Sequence, residues 1–443
     1  MNQHRLNRGY PNWIVRFTFV LCLALFFAGT GFAAGEVKTL TYDEALKITL
    51  DKNRDIQKAE EYKNKVMGIY VEQRAAALPQ ITATAVGARS WDSALSPLNR
   101  YERLESRNYE LTLTQPIFTW GQVEAALRAA KFGIASADDQ LRLYRQAALR
   151  DVSAAFYDAL LAKEFNRIAG QSLEQKVKHL DETRRKFAVG VATEYDVLAA
   201  EVAVENAKPD AIKTENQIRT SRERVRFLLG VSEEEVDVAG QLYTLIEPVE
   251  QYDEALKKAY EKRPELAELR NRLGVYNELV KVAGAGDKPR LDLKATGGYK
   301  DLFLGHRENE YEGKTWSVGL AITFPFFDGF RTKGRVAQAQ SDVSSLKIDE
   351  AKLLDSISLQ VRDTVNGVKE AGDIARGLAG TVTQAEKLLQ MAEKGYEYGV
   401  KTRLEVEDAE LNLSRARGNL ARAYRDYRVA KVTLIWAMGI LGE

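Results

Sequence analysis

The chain has 443 residues, 29% of them charged and 45% apolar, with a formal net charge of +1. That balance excludes the basic footprint of a nucleic-acid-binding protein, so no nucleic acid is expected as a partner. A single cysteine, Cys22, excludes a disulfide framework.

Residues 1–34 read as an export signal. Arg5, Arg8 and Arg16 make a basic start, Phe17 to Ala28 an apolar run rather short for a bilayer span, and Gly31, Ala33 and Ala34 a small-residue cleavage region. Cys22 lies inside this segment, behind Val20 and Leu21 rather than the small residue expected before a lipidated cysteine. Without the three arginines the remaining chain stands at −2. No later segment has 18 consecutive apolar residues, so a membrane crossing requires a closed β-barrel.

The rest reads in order as follows. Thr41 to Lys52 is a short helix with Thr41 or Asp43 as its cap. Asp55 to Leu78 is a second helix, with Ile56, Ala59, Tyr62, Val66, Ile69 and Gln73 at helical spacing, stopped by Pro79. The period then falls to two. Ile81, Ala83 and Ala85 alternate with Thr82, Thr84 and Val86, and Tyr109, Leu111 and Leu113 alternate with Glu110, Thr112 and Thr114. This predicts strands over about 80–91 and 106–118, long enough for tilted membrane strands, joined by a polar loop holding Pro97 and Asn99. Pro116 to Gly121 breaks the second strand. From Gln122 to Lys186 there is no proline, and Leu127, Ile134, Leu141, Ala148, Val152, Ala155, Leu160 and Ile168 recur at helical steps. A rod of that length, roughly 100 Å at 1.5 Å per residue, implies coiled-coil packing. Glu194 to Leu229 returns as its partner, with Pro209 predicted to kink or interrupt it.

Residues 231–250 read as a linker, and then the order repeats. Tyr252 to Leu256 copies Tyr42 to Leu46 at an offset of 210, Pro325 to Phe330 follows Pro116 to Gly121 at 209, and strands are predicted over about 290–301 and 314–327. The stretch Lys186 to Ala200 recurs as Gly395 to Ala409: Phe187 aligns with Tyr396, Gly190 with Gly399, Thr193 with Thr402, and Asp196 with Glu405. A helix-stopping Gly followed by a capping Thr marks each as the tip of a helical hairpin. The chain therefore divides into two structural repeats, 35–230 and 251–443, with hairpins at 121–229 and 329–440. In the second long helix, Gly367, Gly372, Gly377 and Gly380 each cost about 1 kcal/mol relative to alanine, so a bend or a non-helical stretch is expected there.

Four strands cannot close a transmembrane barrel alone, because the smallest use about eight. Chains must then share one: two copies give eight strands and three give twelve. The helical rods continue that barrel as a tube.

With its YDEAL pair, its PIFTWG and PFFDGF junctions and its two tips AVGVATEYDVL and EYGVKTRLEVEDA, the sequence resembles the TolC-like outer-membrane efflux proteins, the outer-membrane factor family, over essentially the whole mature chain. The resemblance implies a mainly α protein with a small β part. It implies a homotrimer in which a periplasmic α-helical barrel joins a shared 12-stranded transmembrane β-barrel in the outer membrane lipid. It further implies a passive exit duct for efflux or type I secretion, opened at its periplasmic tips by a periplasmic adaptor (membrane fusion) protein and an inner-membrane pump of RND, ABC or MFS type. One departure is that Asn53-Arg54-Asp55 lacks the family's Asn-Pro, whereas Arg263-Pro264-Glu265 keeps the proline.

The resemblance also assigns residues. Glu405 and Asp408, three apart on one helix face, take the acidic rings of the periplasmic aperture. Tyr396 and Lys401 take the tip latch with Asp196 as their partner, and Lys401 stands where the family usually has arginine. Gly190, Val191, Thr193, Gly399, Val400 and Thr402 take the adaptor-contacting tips. Two other readings exist. One is a periplasmic coiled-coil scaffold without a pore. The other is an exported enzyme, for which neither a catalytic constellation nor a cofactor motif appears: the mature chain has two histidines, His179 and His306, and no cysteine for a metal cluster. Gly284 to Lys288 reads as a helix-to-strand turn rather than a phosphate loop, and Asp138-Asp139 as a solvated face.

Overall fold

The computed structural model describes residues 38–91, 103–304 and 310–442. The proposed signal with Cys22, the loop holding Pro97 and Asn99, and His306 lie outside the described residues.

In chain order the elements are β1 (Lys38–Leu40), α1 (Tyr42–Lys52), α2 (Arg54–Ala75), β2 (Gln80–Trp91), β3 (Arg103–Phe118), α3 (Gln122–Ala188) and α4 (Glu194–Leu229), then β4 (Val236–Val238), α5 (Tyr252–Lys262), α6 (Pro264–Gly284), β5 (Arg290–Leu304), β6 (Glu310–Thr323), α7 (Arg331–Glu397) and α8 (Arg403–Ala437). Both long rods, α3 and α7, have 67 residues. Apolar periodicity dictates them, and Leu141, Val152, Ala155, Leu160, Val361 and Ala375 are buried as it requires. Tyr62 and Ile69, placed inward by spacing, are exposed in the protomer.

Local chemistry sets the joints. Thr41 caps α1 in a capping box with Glu44, and Asn53 caps α2 through hydrogen bonds accepted from Asp55 N and Ile56 N. Pro264 opens α6 with no side-chain cap, so the two repeats solve the same joint differently. The YDEAL helices are pinned alike, Tyr42 Oη to Ser153 Oγ of α3 and Tyr252 Oη to Ser358 Oγ of α7, each at 2.8 Å. Around these pins lie the main apolar clusters, one holding Val152, Phe156, Leu160 and Val225, the other Ile357, Val361 and Tyr427.

The packing order decides the shape of the wall. The sheet runs β2-β3-β5-β6, antiparallel throughout. Towards the tips, α4 packs on α3, α3 on α8 and α8 on α7; on the sheet side the order is α2, α3, α6, α7. The chain is thus a slab whose two flanks are β2, α2 and α4 on one side and β6 and α7 on the other.

Several expectations are corrected. The linker holds β4, which pairs in parallel with β1 through Leu40↔Val238. Strands of three residues leave no periodic signal, so neither was legible. β6 ends at Thr323 rather than 327, because the chain turns at Phe324–Phe326. α7 is continuous through Gly367–Gly380 and α4 through Pro209. Pro209 is solvent-exposed, so the Glu205 carbonyl that lacks an N–H partner can take water. Asp139 is not a solvated residue: it is buried, bonded to Arg142 at 3.2 Å and to Asn271 of α6 at 2.8 Å. Asp138 is the outward one, paired with Lys63.

Gly230 and Gly439 end α4 and follow α8 at equivalent repeat positions with φ of 75° and 77°. A Cβ on Gly230 would lie 2.1 Å from Lys52 O, and one on Gly439 2.7 Å from Arg263 N. Gly230→Ala and Gly439→Ala should each lower global stability by about 2 kcal/mol or more in denaturant unfolding. Gly68→Ala, in an exposed helix position with open space around it, should not.

Candidate functional site

Two regions expose the chemistry expected of a working surface: the sheet and the helix tips. The strand register gives the sheet two chemically distinct faces. Ile81, Ala83 and Ala85 stand opposite Leu113, Leu111 and Tyr109. Leu113 and Leu111 stand opposite Ala295 and Gly297, which face Val318 and Trp316, while Leu293 faces Leu320. Paired residues share a face, so one face of all four strands carries an apolar band on the helix side, and further out the same face bears the Arg89–Glu105 and Arg107–Asp301 ion pairs. The other carries Thr82, Thr112, Thr296 and Ser317 in one continuous row. Where the strands meet the helices, Phe118, Trp120, Phe324, Phe326, Phe327 and Phe330 are all exposed. Trp120 and Phe330 hold positive φ, 52° and 64°, and each junction is braced from inside: Thr119 Oγ1 accepts from Val123 N, and Asp328 Oδ2 from Thr332 N. A sheet with an apolar band on one face, a polar row on the other and an aromatic rim has the profile of a transmembrane strand set. Among the described residues no helix is long and apolar enough to cross a membrane.

At the tips, Gly190 (φ 77°) and Gly399 (φ 73°) reverse the chain, with Val191 N donating to Lys186 O and Val400 N to Gly395 O, each at 2.9 Å. Thr193 and Thr402 then cap the return helices in matching boxes. Thr193 N donates to Asp196 Oδ2 at 2.8 Å, and Thr402 N to Glu405 Oε2 at 2.7 Å. Val189, Val191, Tyr398 and Val400 stand at the apex, each about three-quarters exposed or more.

This geometry places the expected site residues differently from one another. Glu405 is engaged within its own chain: besides the cap it takes Lys401 Nζ at 2.5 Å. The Lys401 ammonium, followed by the Thr402 backbone and hydroxyl, pulls its carboxyl down to about 2 from an ordinary 4.5. Asp408 is exposed one turn further along α8. Asp196 is occupied by the Thr193 cap, so within the protomer it meets neither Lys401 nor Tyr396. Tyr396 instead lies under Lys186 of the other hairpin, whose Nζ is 5.4 Å from the ring centre.

Lys186 and Gly395 were not singled out from the sequence. Gly395 is required because a Cβ there would lie 2.4 Å from Lys401 Cγ, so the lysine stem folds over it. An i,i+4 Lys-Glu pair was the available signal for the Lys401–Glu405 contact; nothing local announced Lys186. Between the hairpins just above, a cavity of 590 Å³ is lined by His179, Glu182, Lys186, Tyr396, Arg403 and Glu410. Burial and nearby Arg403 lower the His179 pKa, and burial raises that of Glu410, so this seam disfavours charge at both.

The chain matches the model of the outer membrane efflux protein family over residues 45–231 and again over 255–440. It belongs to that family. The two matched segments fall one on each structural repeat, and the family places the protein in the outer membrane as an efflux or secretion channel component. Among known proteins it is 28% identical to the alkaline protease secretion protein AprF of Pseudomonas aeruginosa over 385 residues, 84% of this chain and 78% of the relative. It is 24% identical to the outer membrane protein TolC of Vibrio cholerae, covering 84% of each chain. Its fold matches the Campylobacter jejuni CmeC outer membrane channel with a TM-score of 0.77 at 17% identity, over 99% of this chain and 93% of that one. The fold is therefore that of the family: mainly helical, duplicated, with a small sheet.

Thr402→Ala should remove the second tip's cap, at a cost of about 1 kcal/mol, and speed amide exchange at Glu405 about fivefold. Because the Glu405 pKa is depressed in the fold, its contribution is fully present above about 4.5 and is lost as pH falls through about 2. A carbon-13 titration of its carboxyl should therefore show no change between about pH 8 and pH 5.

Proposed function

We propose that three copies of this chain form a passive duct from the periplasm to the exterior, opened at its tips by a periplasmic adaptor coupled to an inner-membrane pump. The observation that carries this reading is the pair of open flanks. β2 and β6 are both sheet edges with unpaired backbone groups, and such groups are not tolerated in lipid. Pairing β6 of one copy with β2 of the next satisfies both and brings α7 of one copy against α4 of the next. Repeated around an axis, this head-to-tail contact closes a ring. Two copies would give eight strands, a barrel whose interior side chains fill; three give twelve and leave an aqueous lumen. The threonine-rich face then lines the lumen and the Trp316, Val318 and Leu320 face meets lipid. The segment 1–34 serves as the cleaved export signal.

At the other end, Glu405 and Asp408 of three copies ring the aperture. In this reading the Lys401–Glu405 and Lys186–Tyr396 contacts hold each protomer's tip, and Asp196 lies where a neighbouring copy's tip could reach it. Gly190, Val191, Gly399 and Val400 present the exposed apex to the adaptor. The duct has no energy source, so the adaptor acts by binding the open arrangement better than the closed one. The lumen imposes little selection, and the pump chooses the cargo.

Purified mature protein in a planar bilayer should give small, stable openings. Glu405→Gln with Asp408→Asn, which removes charge and keeps hydrogen-bonding capacity, should change the cation selectivity and enlarge the closed-state conductance severalfold. Inserted protein silent in both forms would favour the scaffold reading instead.

A further inference from the structure

Two expectations from the sequence, a break at Pro209 and a bend or non-helical stretch over Gly367–Gly380, find continuous helices, yet Pro209 and the last two of those glycines, Gly377 and Gly380, lie near one level of the protein. At the 209-residue repeat offset Pro209 of α4 corresponds to Gly418 of α8, and Gly170 of α3 corresponds to Ala379, next to Gly380 of α7. The hydrogen bond from Thr214 Oγ1 to Asn166 Oδ1 (3.1 Å) sets α3 and α4 in register, which puts Gly170 beside Pro209 across the first hairpin. The Arg417–Glu386 pair (2.8 Å) does the same for the second, bringing Gly418 within about two turns of Gly380. Each of the four rods thus carries a glycine or proline within about two turns of one level.

Intrachain packing does not call for these glycines. A Cβ on Gly170, Gly377 or Gly380 would meet nothing within 4 Å, and one on Gly418 would only touch Phe165 at 3.8 Å. Gly372 differs, since Ile246 stands 3.1 Å from its Cβ position. The apolar core is also interrupted here. On the sheet side lie the clusters of Leu149–Leu160 with Val225 and of Val361 and Val368 with Tyr427. On the tip side lie Leu180 with Ala200 and Val204, and Ala385, Leu389, Leu413 and Ala416. Between them a cavity of 680 Å³ separates the hairpins, lined among others by Ile168, Ala207, Asp210, Ser414 and Gly418. Above this level the hairpins are bolted by Arg425 to Asp158 at 2.6 Å. Below it Lys186 bridges to Tyr396.

We infer that Gly170, Pro209, Gly380 and Gly418, with Gly377, form a flexure plane through all four helices, at which the terminal 25–30 Å of each hairpin, about 16–20 residues at 1.5 Å each, swings when the tips part. Glycine and proline lower the cost of bending a helix locally, and the gap in the core lets the lower segments move without breaking apolar contacts above. The inference rests on the duct reading for its purpose, though not for its existence.

The test is amide hydrogen exchange on the purified full-length assembly. Windows around residues 166–174, 205–213, 376–384 and 414–422 should exchange about tenfold faster than the helix on either side. Uniform protection through all four windows overturns the inference. The combined variant Gly170→Ala, Pro209→Ala, Gly380→Ala and Gly418→Ala should restore protection and reduce the frequency of large bilayer openings about tenfold, with Gly68→Ala as the helix-strengthening control outside the plane. Restored protection with wild-type opening frequency overturns it, as does a variant whose assembly falls apart, which would assign the glycines to the seam between copies. Wild-type protein that shows the exchange maxima and no conductance sinks the duct reading and leaves the flexure plane standing.

Discussion

Backbone hydrogen bonds left open on β2 and β6 constrain everything else about this protein. A four-stranded sheet with an apolar band on one face and a threonine row on the other is stable in lipid only as part of a closed cylinder, because neither edge has water to fall back on. The helices obey the same constraint at one remove. Each rod continues a strand position, so the order β2-β3-β5-β6 is carried down as α2 or α4, α3, α6 or α8, and α7. The two outer rods also leave apolar side chains uncovered in the single chain, Ile212 and Phe227 on α4 and Leu359, Ile374 and Met391 on α7.

Duplication supplies the architecture, and the two repeats differ most informatively at their tips. Both tips share the glycine reversal and the threonine cap. Only the second adds a lysine four residues before its capping carboxylate, with Gly395 making room for the stem. At the repeat offset Lys401 corresponds to Ala192 of the first tip, while Gly395 corresponds to Lys186, which reaches across to Tyr396. One ancestral tip has thus become two parts of one contact system. The same carboxylate, Glu405, caps the start of its helix and pairs with Lys401. Its low pKa keeps both roles intact at any pH well above about 2.

Stability is distributed unevenly along the rods. The YDEAL helices, the β1–β4 pair and the ends of α4 and α8 gather around Tyr42, Phe156, Tyr252 and Tyr427, where aromatic packing and buried hydroxyl pairs concentrate. Towards the tips the cores shrink to small clusters of leucine, alanine and valine and the space between the hairpins becomes polar. Local opening free energy follows buried apolar contact, so opening costs most at this waist and least towards the tips.

Sequence alone determined the long elements, the duplication and the position of the tips. Periods of 3.6 and 2 report which face of each segment is buried, and a repeat offset of 209 or 210 ties distant segments together without any knowledge of contacts. Gly190, Thr193, Gly399 and Thr402 were legible because capping is a local interaction within a few residues. Tertiary structure decided what depends on separation in space. It buried Asp139 against Asn271, paired β1 with β4 across nearly 200 residues, gave Glu405 rather than Asp196 to Lys401 within the chain, and set Lys186 over Tyr396. It also carried α4 and α7 unbroken through Pro209 and Gly377, because one missing hydrogen bond or one flexible residue is outweighed by the cooperative ladder on either side. Long-range pairing of single polar side chains leaves no periodic trace in a sequence, and only the folded chain shows it.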